Sequence, residues 1–201
     1  MKHLLHPQAI RLLSHDPILK NLIQKYPVPV WEKKKDLFRS LIYEIVGQQL
    51  SGKAARVIFE RTLDLFDGQT PKPKQLLDIP GQSLRDAGCS WAKIKYLKAL
   101  AEAVENKSLD LSNQRNLSEQ EVYRQLTAVK GIGPWTAEMF LIFTLHRPDV
   151  FSLGDLGLRT AVSRLYRVRR ENLKKIEKIS QAWKPYRSFA SRYLWLSLEN
   201  S

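Results

Sequence analysis

The sequence predicts an all-α protein with two helical lobes and a cleft between them. Apolar residues recur three or four positions apart along most of the chain, which is the spacing of one helix face. No segment shows the strict apolar–polar alternation that is typical of a half-buried strand. Helical stripes cover residues 36–66 and 118–166, and the segment between them is rich in loop signals. This separation is the reason for expecting two lobes.

The helices of the first half follow from three apolar patterns. The first stripe consists of Leu37, Phe38, Leu41, Ile42, Ile45 and Val46. A second helix begins after Gly52 and is predicted to end near Asp67-Gly68, where a glycine can close it. A third stripe consists of Ile94, Leu97, Ala101 and Val104. Pro71 and Pro73 predict one loop, and residues 106–117 predict another.

The second half has clearer boundary signals. Ser118 and Glu121 have the spacing of a capping box, which predicts a helix that continues through Val129. Pro134 is predicted at the first turn of the next helix, where its missing N–H costs nothing. A final stripe consists of Leu158, Ala161, Val162 and Leu165.

Positive charge dominates the composition. The 201 residues include 33 Lys and Arg against 20 Asp and Glu, which gives a net charge of +13. Between Arg147 and Arg187, eleven basic residues face four acids. This excess favours a polyanionic partner, and nucleic acid more than a membrane surface. A solvated surface is the alternative interpretation, but the position of the run favours a side that faces phosphates.

The small number of cysteines and the lack of long apolar segments indicate the cellular compartment. Cys89 is the single cysteine, so an intramolecular disulfide, a thiolate metal site and a four-cysteine iron–sulfur cluster cannot form. The start of the chain is too polar for a signal peptide, and no apolar run approaches the length of a membrane span. We therefore expect a soluble, intracellular protein, cytoplasmic or nucleoid-associated in a bacterium and nuclear in a eukaryote.

Residues 126–160 form the most informative stretch. Val129-Lys130-Gly131-Ile132-Gly133 fits a hairpin between two helices, in which Gly131 and Gly133 can adopt positive φ and let a phosphate approach the backbone. The carbonyls of Thr127, Val129 and Ile132 could instead face a bound K⁺ or Na⁺ that bridges to the phosphate. An ordinary helical hairpin with a glycine cap is the alternative for an isolated Gly-Ile-Gly.

One carboxylate, Asp155, follows the hairpin's second helix. It has two interpretations: an N-cap for a helix that begins at Leu156, or a catalytic group that faces the phosphate-binding hairpin. Asp149 is the rival acid, and Pro148 beside it predicts an exposed turn.

Large apolar side chains and a polar interruption complete the candidate site. Trp135, Met139 and Trp195 are candidates for surrounding a flat ligand, with core packing as the alternative. The sequence Gln48-Gln49-Leu50-Ser51 interrupts an apolar stripe. It either caps that helix or inserts a side chain into stacked DNA bases.

These motifs together resemble the helix-hairpin-helix DNA glycosylase superfamily, and most closely its 3-methyladenine DNA glycosylase II branch. The resemblance rests on four segments in the expected order across roughly residues 36–198. They are Ile45-Val46-Gly47-Gln48-Gln49-Leu50-Ser51 with Ala54-Ala55; Leu84-Arg85-Asp86-Ala87-Gly88 with Lys93; Gly131-Ile132-Gly133-Pro134-Trp135-Thr136-Ala137 followed by Asp149-Val150-Phe151-Ser152-Leu153-Gly154-Asp155-Leu156-Gly157; and Trp183-Lys184-Pro185-Tyr186-Arg187-Ser188 before Tyr193-Leu194-Trp195.

The resemblance implies a role for each site residue. Asp155 matches the catalytic aspartate, Trp135 and Trp195 match aromatic walls of the base pocket, and Met139 lies where another wall is expected. Gln49 or Leu50 falls where the family inserts a wedge into the gap left by a flipped nucleotide. The hairpin residues Gly131, Ile132, Gly133 and Thr136 would contact the DNA backbone. Lys130, Arg159 and Arg187 are candidates for further phosphate contacts.

Departures from the family pattern refine the expected activity. Trp135 occupies the position of the lysine that strand-cleaving members use, the family's iron–sulfur cysteines are missing, and the N-terminal β-domain of longer members does not fit before residue 36. The expectation is a monomeric, monofunctional glycosylase that removes alkylated purines such as 3-methyladenine and 7-methylguanine from double-stranded DNA without a required cofactor. A glycosylase for deaminated or etheno bases and a non-catalytic DNA-binding protein are the alternatives.

Overall fold

The computed structural model describes residues 7–26 and 34–199, and every regular element within them is helical. The predicted all-α class is therefore confirmed. The helices in chain order are α1 (Pro7–Leu13), α2 (Pro17–Lys25), α3 (Leu37–Gly47), α4 (Gly52–Asp64), α5 (Pro73–Asp78), α6 (Gly81–Asp86), α7 (Trp91–Glu105), α8 (Glu119–Thr127), α9 (Pro134–Met139), α10 (Leu156–Tyr166), α11 (Leu173–Gln181) and α12 (Arg187–Glu199). A π-helical segment, Phe140–Thr144, continues α9. None of the described helices is long and apolar enough to cross a membrane.

The chain divides into two compact units. One combines Met1–Lys33 with His146–Ser201, and we call it the terminal unit; the other, Lys34–Leu145, is the central unit. The terminal unit contains α1, α2 and α10 to α12, and the central unit contains α3 to α9 with the π-helical segment.

A half-buried carboxylate organises the terminal unit. Asp16 is the N-cap of α2, where its Oδ1 accepts the N–H groups of Ile18 and Leu19. Its Oδ2 accepts the Tyr166 hydroxyl at 2.7 Å and the Trp183 indole N–H at 3.0 Å. Because these donors come from α10 and from the segment before α12, one side chain fixes three parts of the unit. Burial raises the pKa of Tyr166, which therefore remains a donor.

Helix α3 is the axis of the central unit. All six residues of its predicted apolar stripe are buried, and the helix packs against α4, α7, α9 and the π-helical segment. Lys93 of α7 donates its ammonium group to the Val46 carbonyl at 2.8 Å, which satisfies an acceptor in the last turn of α3. Burial lowers the pKa of Lys93. The end of α3, which precedes Gln48, is thus fixed by a side chain from α7.

Most of the predicted boundaries are confirmed. Ser118 accepts the Glu121 N–H, and Glu121 accepts the Ser118 N–H at 2.9 Å, so the capping box forms. Pro134 occupies the first turn of α9. Helix α4 ends earlier than predicted, at Asp64, because the Gly68 N–H, at a residue with φ of +73°, returns to the Leu63 carbonyl and closes the helix three residues ahead of Asp67-Gly68.

Candidate functional site

Gly131 is required by the shape of the hairpin between α8 and α9. Its φ is +93°, a region that other residues rarely adopt, and a Cβ at this position would overlap the ring of Tyr96 from α7. The hairpin turn therefore lies directly on an aromatic side chain. Both the backbone conformation and this contact exclude a larger residue, so the positive φ predicted for Gly131 is confirmed.

Gly133 differs from Gly131. Its φ of −87° and ψ of 178° are extended values that any residue adopts, so the positive φ considered from the sequence is not used here. A Cβ at Gly133 would meet no atom within 4 Å. The N–H groups of Gly131 and Gly133 donate to no hydrogen bond among the described residues. Nothing inside the described protein requires glycine at position 133, whereas a bare, unpaired backbone suits a close external acceptor such as a phosphate.

The candidate cation ligands lie on the same hairpin. The Val129 carbonyl already accepts the Ile132 N–H at 3.0 Å, and a carbonyl has a second lone pair that could face a cation. Val129 and Ile132 bury their side chains, which leaves their backbone as the group available to a ligand. The K⁺ or Na⁺ site at Thr127, Val129 and Ile132 stays a prediction.

Gln48 connects the end of α3 to the hairpin, a role that the sequence did not indicate. Its Nε2 donates to the Gly131 carbonyl at 2.9 Å and to the Thr136 hydroxyl at 3.1 Å. Thr136 is 2% exposed, so its side chain serves this internal contact. The predicted contact of Thr136 with the DNA backbone can therefore come only from the main-chain groups of Thr136.

The two candidate wedge residues follow Gln48 directly. Gln49 has a φ of +59°, which is uncommon for a residue with a side chain, and it is exposed. Leu50 is 38% exposed, a high value for an apolar side chain of this size. A sharply turned, protruding tip is what insertion into a base stack requires, and it is compatible with either residue as the wedge.

Asp155 is the N-cap of α10 in the terminal unit. Its Oδ1 accepts the Leu158 N–H at 2.7 Å and the indole N–H of Trp195, from α12, at 3.0 Å. The N-cap interpretation from the sequence is thus confirmed, and it does not compete with the catalytic one. The helix N-terminus favours a negative charge at this position, and two donors fix the carboxylate's orientation.

Gly157 makes this arrangement possible, and sequence reasoning missed its role. A Cβ at Gly157 would lie 3.1 Å from Asp155 Oδ1 and 3.2 Å from Trp195 Nε1, closer than ordinary van der Waals contact. The signal was a glycine in the first turn of a helix, where glycine is otherwise unfavourable. Leu156, between Asp155 and Gly157 in the sequence, is 55% exposed.

The three predicted pocket residues are divided between the units. Trp135 and Met139 lie on α9 of the central unit, where Trp135 is half-buried and Met139 is 4% exposed. Trp195 lies on α12 of the terminal unit and is half-buried. The structure thus assigns Trp195 a polar contact in addition to its aromatic face. A shared pocket formed by all three remains a prediction.

The three candidate phosphate contacts differ in what they already bind. Lys130 is exposed at the hairpin, and Arg159 is half-buried one turn after Asp155. Arg187 forms a two-pronged ion pair with Asp149, with N–O distances of 2.8 and 3.0 Å, and its Nη2 also donates to the Asp149 carbonyl at 2.7 Å. Asp149 lies in the turn that Pro148 predicts, and Pro148 is exposed, but the ion pair holds Asp149 itself partly buried.

Comparison with known proteins identifies the family of the chain. Residues 42–185 match the family model described as HhH-GPD superfamily base excision DNA repair protein. The chain is 37% identical over 166 residues to DNA-3-methyladenine glycosylase 1 of Schizosaccharomyces pombe, which covers 81% of this chain and 73% of that protein.

Two solved structures share the fold along almost the whole chain. The S. pombe 3-methyladenine DNA glycosylase in complex with abasic DNA has a TM-score of 0.86 and 35% identity, covering 94% of this chain and 95% of that chain. The DNA-3-methyladenine glycosidase of Bacillus halodurans has a TM-score of 0.80 and 38% identity, covering 96% and 89%. The family model matches most of the chain and the relatives share its sequence and fold, so the chain belongs to the HhH-GPD superfamily of base excision DNA repair proteins, as the resemblance predicted.

Proposed function

We propose that this protein is a DNA glycosylase that releases alkylated purines of the 3-methyladenine and 7-methylguanine class by hydrolysing the N-glycosidic bond. The S. pombe relative is named DNA-3-methyladenine glycosylase 1 and the B. halodurans relative DNA-3-methyladenine glycosidase, which agrees with the function predicted from the sequence. The observation that carries the proposal in this chain is the carboxylate of Asp155, fixed by the Leu158 N–H and the Trp195 indole N–H.

Hydrolysis of this N-glycosidic bond requires little from the protein beyond this carboxylate. An N-alkylated purine is cationic and leaves readily, so positive charge develops on the deoxyribose as the bond breaks. A carboxylate whose orientation is already fixed stabilises that charge without reorganising. Asp155 would fulfil this role and also orient the attacking water. An aromatic face adds about 0.5–2 kcal/mol of attraction for a cationic base at each contact.

The damaged nucleotide must first leave the duplex, and unstacking it costs a few kcal/mol. We propose that residues of the central unit offset this unstacking cost. The unpaired N–H groups of Gly131 and Gly133 bind a backbone phosphate, and the exposed Gln49–Leu50 tip fills the gap in the base stack. Because phosphate contacts carry no sequence information, lesions should be found in any sequence context.

The absence of strand cleavage is part of the proposal. A lyase needs an amine that attacks the sugar and forms a Schiff base. Trp135 stands where the family's lyases have that lysine. We therefore expect abasic sites as the product, and trapping with borohydride during turnover should give no covalent adduct. A trapped adduct would overturn the monofunctional assignment.

We further propose that the protein acts on double-stranded DNA as a monomer and needs no cofactor for the chemical step. A K⁺ or Na⁺ at the carbonyls of Thr127, Val129 and Ile132 would act on binding alone, by bridging the hairpin to a phosphate. Exchanging K⁺ for a bulky organic cation at constant ionic strength should then weaken DNA binding without changing the rate of the bound complex.

The experiment that tests the function is incubation with alkylated duplex DNA. Released bases are identified by chromatography, and abasic sites are scored as strand breaks with and without alkali. Release of 3-methyladenine and 7-methylguanine, with breaks only after alkali, is expected. Binding without release of any base would instead favour a non-catalytic DNA-binding protein.

A further inference from the structure

Helix α11 carries three lysines, Lys174, Lys175 and Lys178, which we call the outer lysines. All three are exposed, and none forms an ion pair or a side-chain hydrogen bond with a described residue. Glu171, just before α11, is paired with Arg170. The outer lysines therefore carry positive charge that no described side chain neutralises. The segment before α11 adds further exposed basic residues, which are Arg164, Arg167, Arg169 and Arg170.

The outer lysines face away from the helix that carries Asp155. Ile176 of α11 is buried in the core cluster that also contains Leu158 of α10. Successive residues of a helix are about 100° apart, so Lys174 and Lys178, each two positions from Ile176, project from the opposite side of α11. Because Asp155 is the N-cap of α10, DNA that reaches this carboxylate approaches the first turn of α10. Within the terminal unit, the outer lysines thus form a surface of their own.

This arrangement of charges is unfavourable for the helix itself. Helix α11 begins at Leu173, so Lys174 and Lys175 lie in its first turn, where the helix dipole disfavours positive charge. Lys178 is four residues after Lys174 and three after Lys175, which places like charges side by side. Glu177 is the acid on α11, and it forms no ion pair with a described residue. Charges that cost stability without an internal partner are typical of a functional surface.

A nucleic acid fits this surface better than a folded protein does. Lys174 and Lys178 lie about 6 Å apart along the helix axis, and ammonium groups on flexible stems can follow closely spaced negative charges. Duplex DNA presents one such charge for about every 1.7 Å of its length. Interfaces between proteins are depleted of lysine and enriched in aromatic residues, and α11 contains no aromatic residue. The charge and the composition of this face therefore favour duplex DNA as its partner.

We propose that the outer lysines form a second DNA-binding surface, through which protein that holds one duplex engages another duplex before it releases the first. The inference goes beyond the proposed glycosylase function, since it concerns transfer between DNA segments and involves no step at Asp155. Contact with a second phosphate backbone also supplies the negative charge that the first turn of α11 lacks.

Dissociation kinetics test this surface directly. The protein is bound to a short, fluorescent, undamaged duplex and mixed with increasing concentrations of the same duplex without label. Transfer through a complex with two duplexes makes the dissociation rate rise with the unlabelled duplex, whereas simple release leaves the rate constant. We expect a rising rate for the wild type.

The test variant combines Lys174→Gln, Lys175→Gln and Lys178→Gln. Its dissociation rate should rise at least about tenfold less steeply with unlabelled duplex, because three phosphate contacts are lost. The matched control removes the same charge from three scattered, exposed lysines and should keep the wild-type slope. It combines Lys20→Gln, Lys74→Gln and Lys107→Gln.

Two further measurements show that the triple variant of the outer lysines is folded and that their charges oppose folding. Glutamine has nearly the helix propensity of lysine, so the variant should unfold at the same urea concentration as the wild type or a higher one. High salt should reduce this gain, because it screens the repulsion between the lysines. Single-turnover release of 7-methylguanine should be unchanged, since the groups that fix Asp155 come from Leu158 and Trp195.

The outcomes separate this inference from the proposed function. Wild-type protein that releases no base contradicts the glycosylase assignment, while a rising dissociation rate in the same protein still supports the second surface. A constant wild-type rate, or equal slopes for the triple variant and its control, overturns the second surface alone. In a parallel series, poly-L-glutamate replaces the unlabelled duplex. Stronger acceleration by this polymer than by DNA at equal charge, lost in the triple variant, would assign the surface to an acidic protein and overturn the inference.

Discussion

The indole N–H of Trp195 donates to Oδ1 of Asp155 at 3.0 Å, the same oxygen that accepts the Leu158 N–H at 2.7 Å. One carboxylate oxygen is therefore shared between the start of α10 and the side of α12. This contact makes Trp195 a positioning residue for Asp155 in addition to the aromatic wall implied by the family resemblance. The two roles can be separated, because one depends on the N–H and the other on the ring face.

Asp155→Asn should abolish base release while leaving DNA binding largely intact. The amide keeps the N-cap, since Asn caps helices as well as Asp, but it loses the negative charge that stabilises the sugar cation. Single-turnover release of 3-methyladenine should fall by orders of magnitude, with the affinity for abasic DNA within a few fold of the wild type. Near-normal release by this variant would reduce Asp155 to a helix cap.

Trp195→Phe should slow catalysis without removing the aromatic face. The lost hydrogen bond to a charged group is worth about 1.5–3 kcal/mol, which corresponds to roughly a 10- to 100-fold lower rate. Trp195→Ala should cost about a further 1–3 kcal/mol through lost stacking. Single-turnover rates at saturating protein test both variants. Equal rates for Phe and the wild type would leave Trp195 as a wall alone.

Alanine at the two hairpin glycines should give different defects, one in folding stability and the other in DNA binding. Gly131→Ala forces a side chain into a positive φ and into the Tyr96 ring, so it should lower the free energy of unfolding by at least about 1–3 kcal/mol. Gly133→Ala meets no internal atom and should unfold like the wild type, but it should bind DNA more weakly, because the methyl group stands where a phosphate approaches. Urea unfolding and fluorescence anisotropy separate the two. Wild-type DNA affinity in Gly133→Ala would exclude close backbone contact there.

Binding should depend steeply on salt. The logarithm of the binding constant falls linearly with the logarithm of salt concentration as phosphate contacts release counterions, and each contact adds about 0.9 to the slope. Lys130→Ala should reduce the slope by about 1 and weaken binding equally in all sequences. The matched control is Lys107→Ala, an exposed lysine after α7. A slope near zero for the wild type would assign the net charge of +13 to solubility.

Local sequence patterns predicted the helices that carry the site residues better than they predicted the contacts between those residues. Apolar spacing located α3, and the serine and glutamate of the capping box fixed the start of α8. The pairing of Trp195 with Asp155 joins residues 40 positions apart, and no local pattern marks it. The same holds for Gln48, which reaches the hairpin 83 residues later.

The contact between Gly131 and Tyr96 also limits how far the hairpin can be transplanted. Residues 118–146 look like a self-contained peptide, yet their turn is shaped by a ring from α7 and held by an amide that follows α3. Grafted alone onto another scaffold, the loop would lose both supports, and its N–H groups would no longer be arranged to receive an anion. A portable version of this hairpin therefore has to include α3 with Gln48 and α7 with Tyr96.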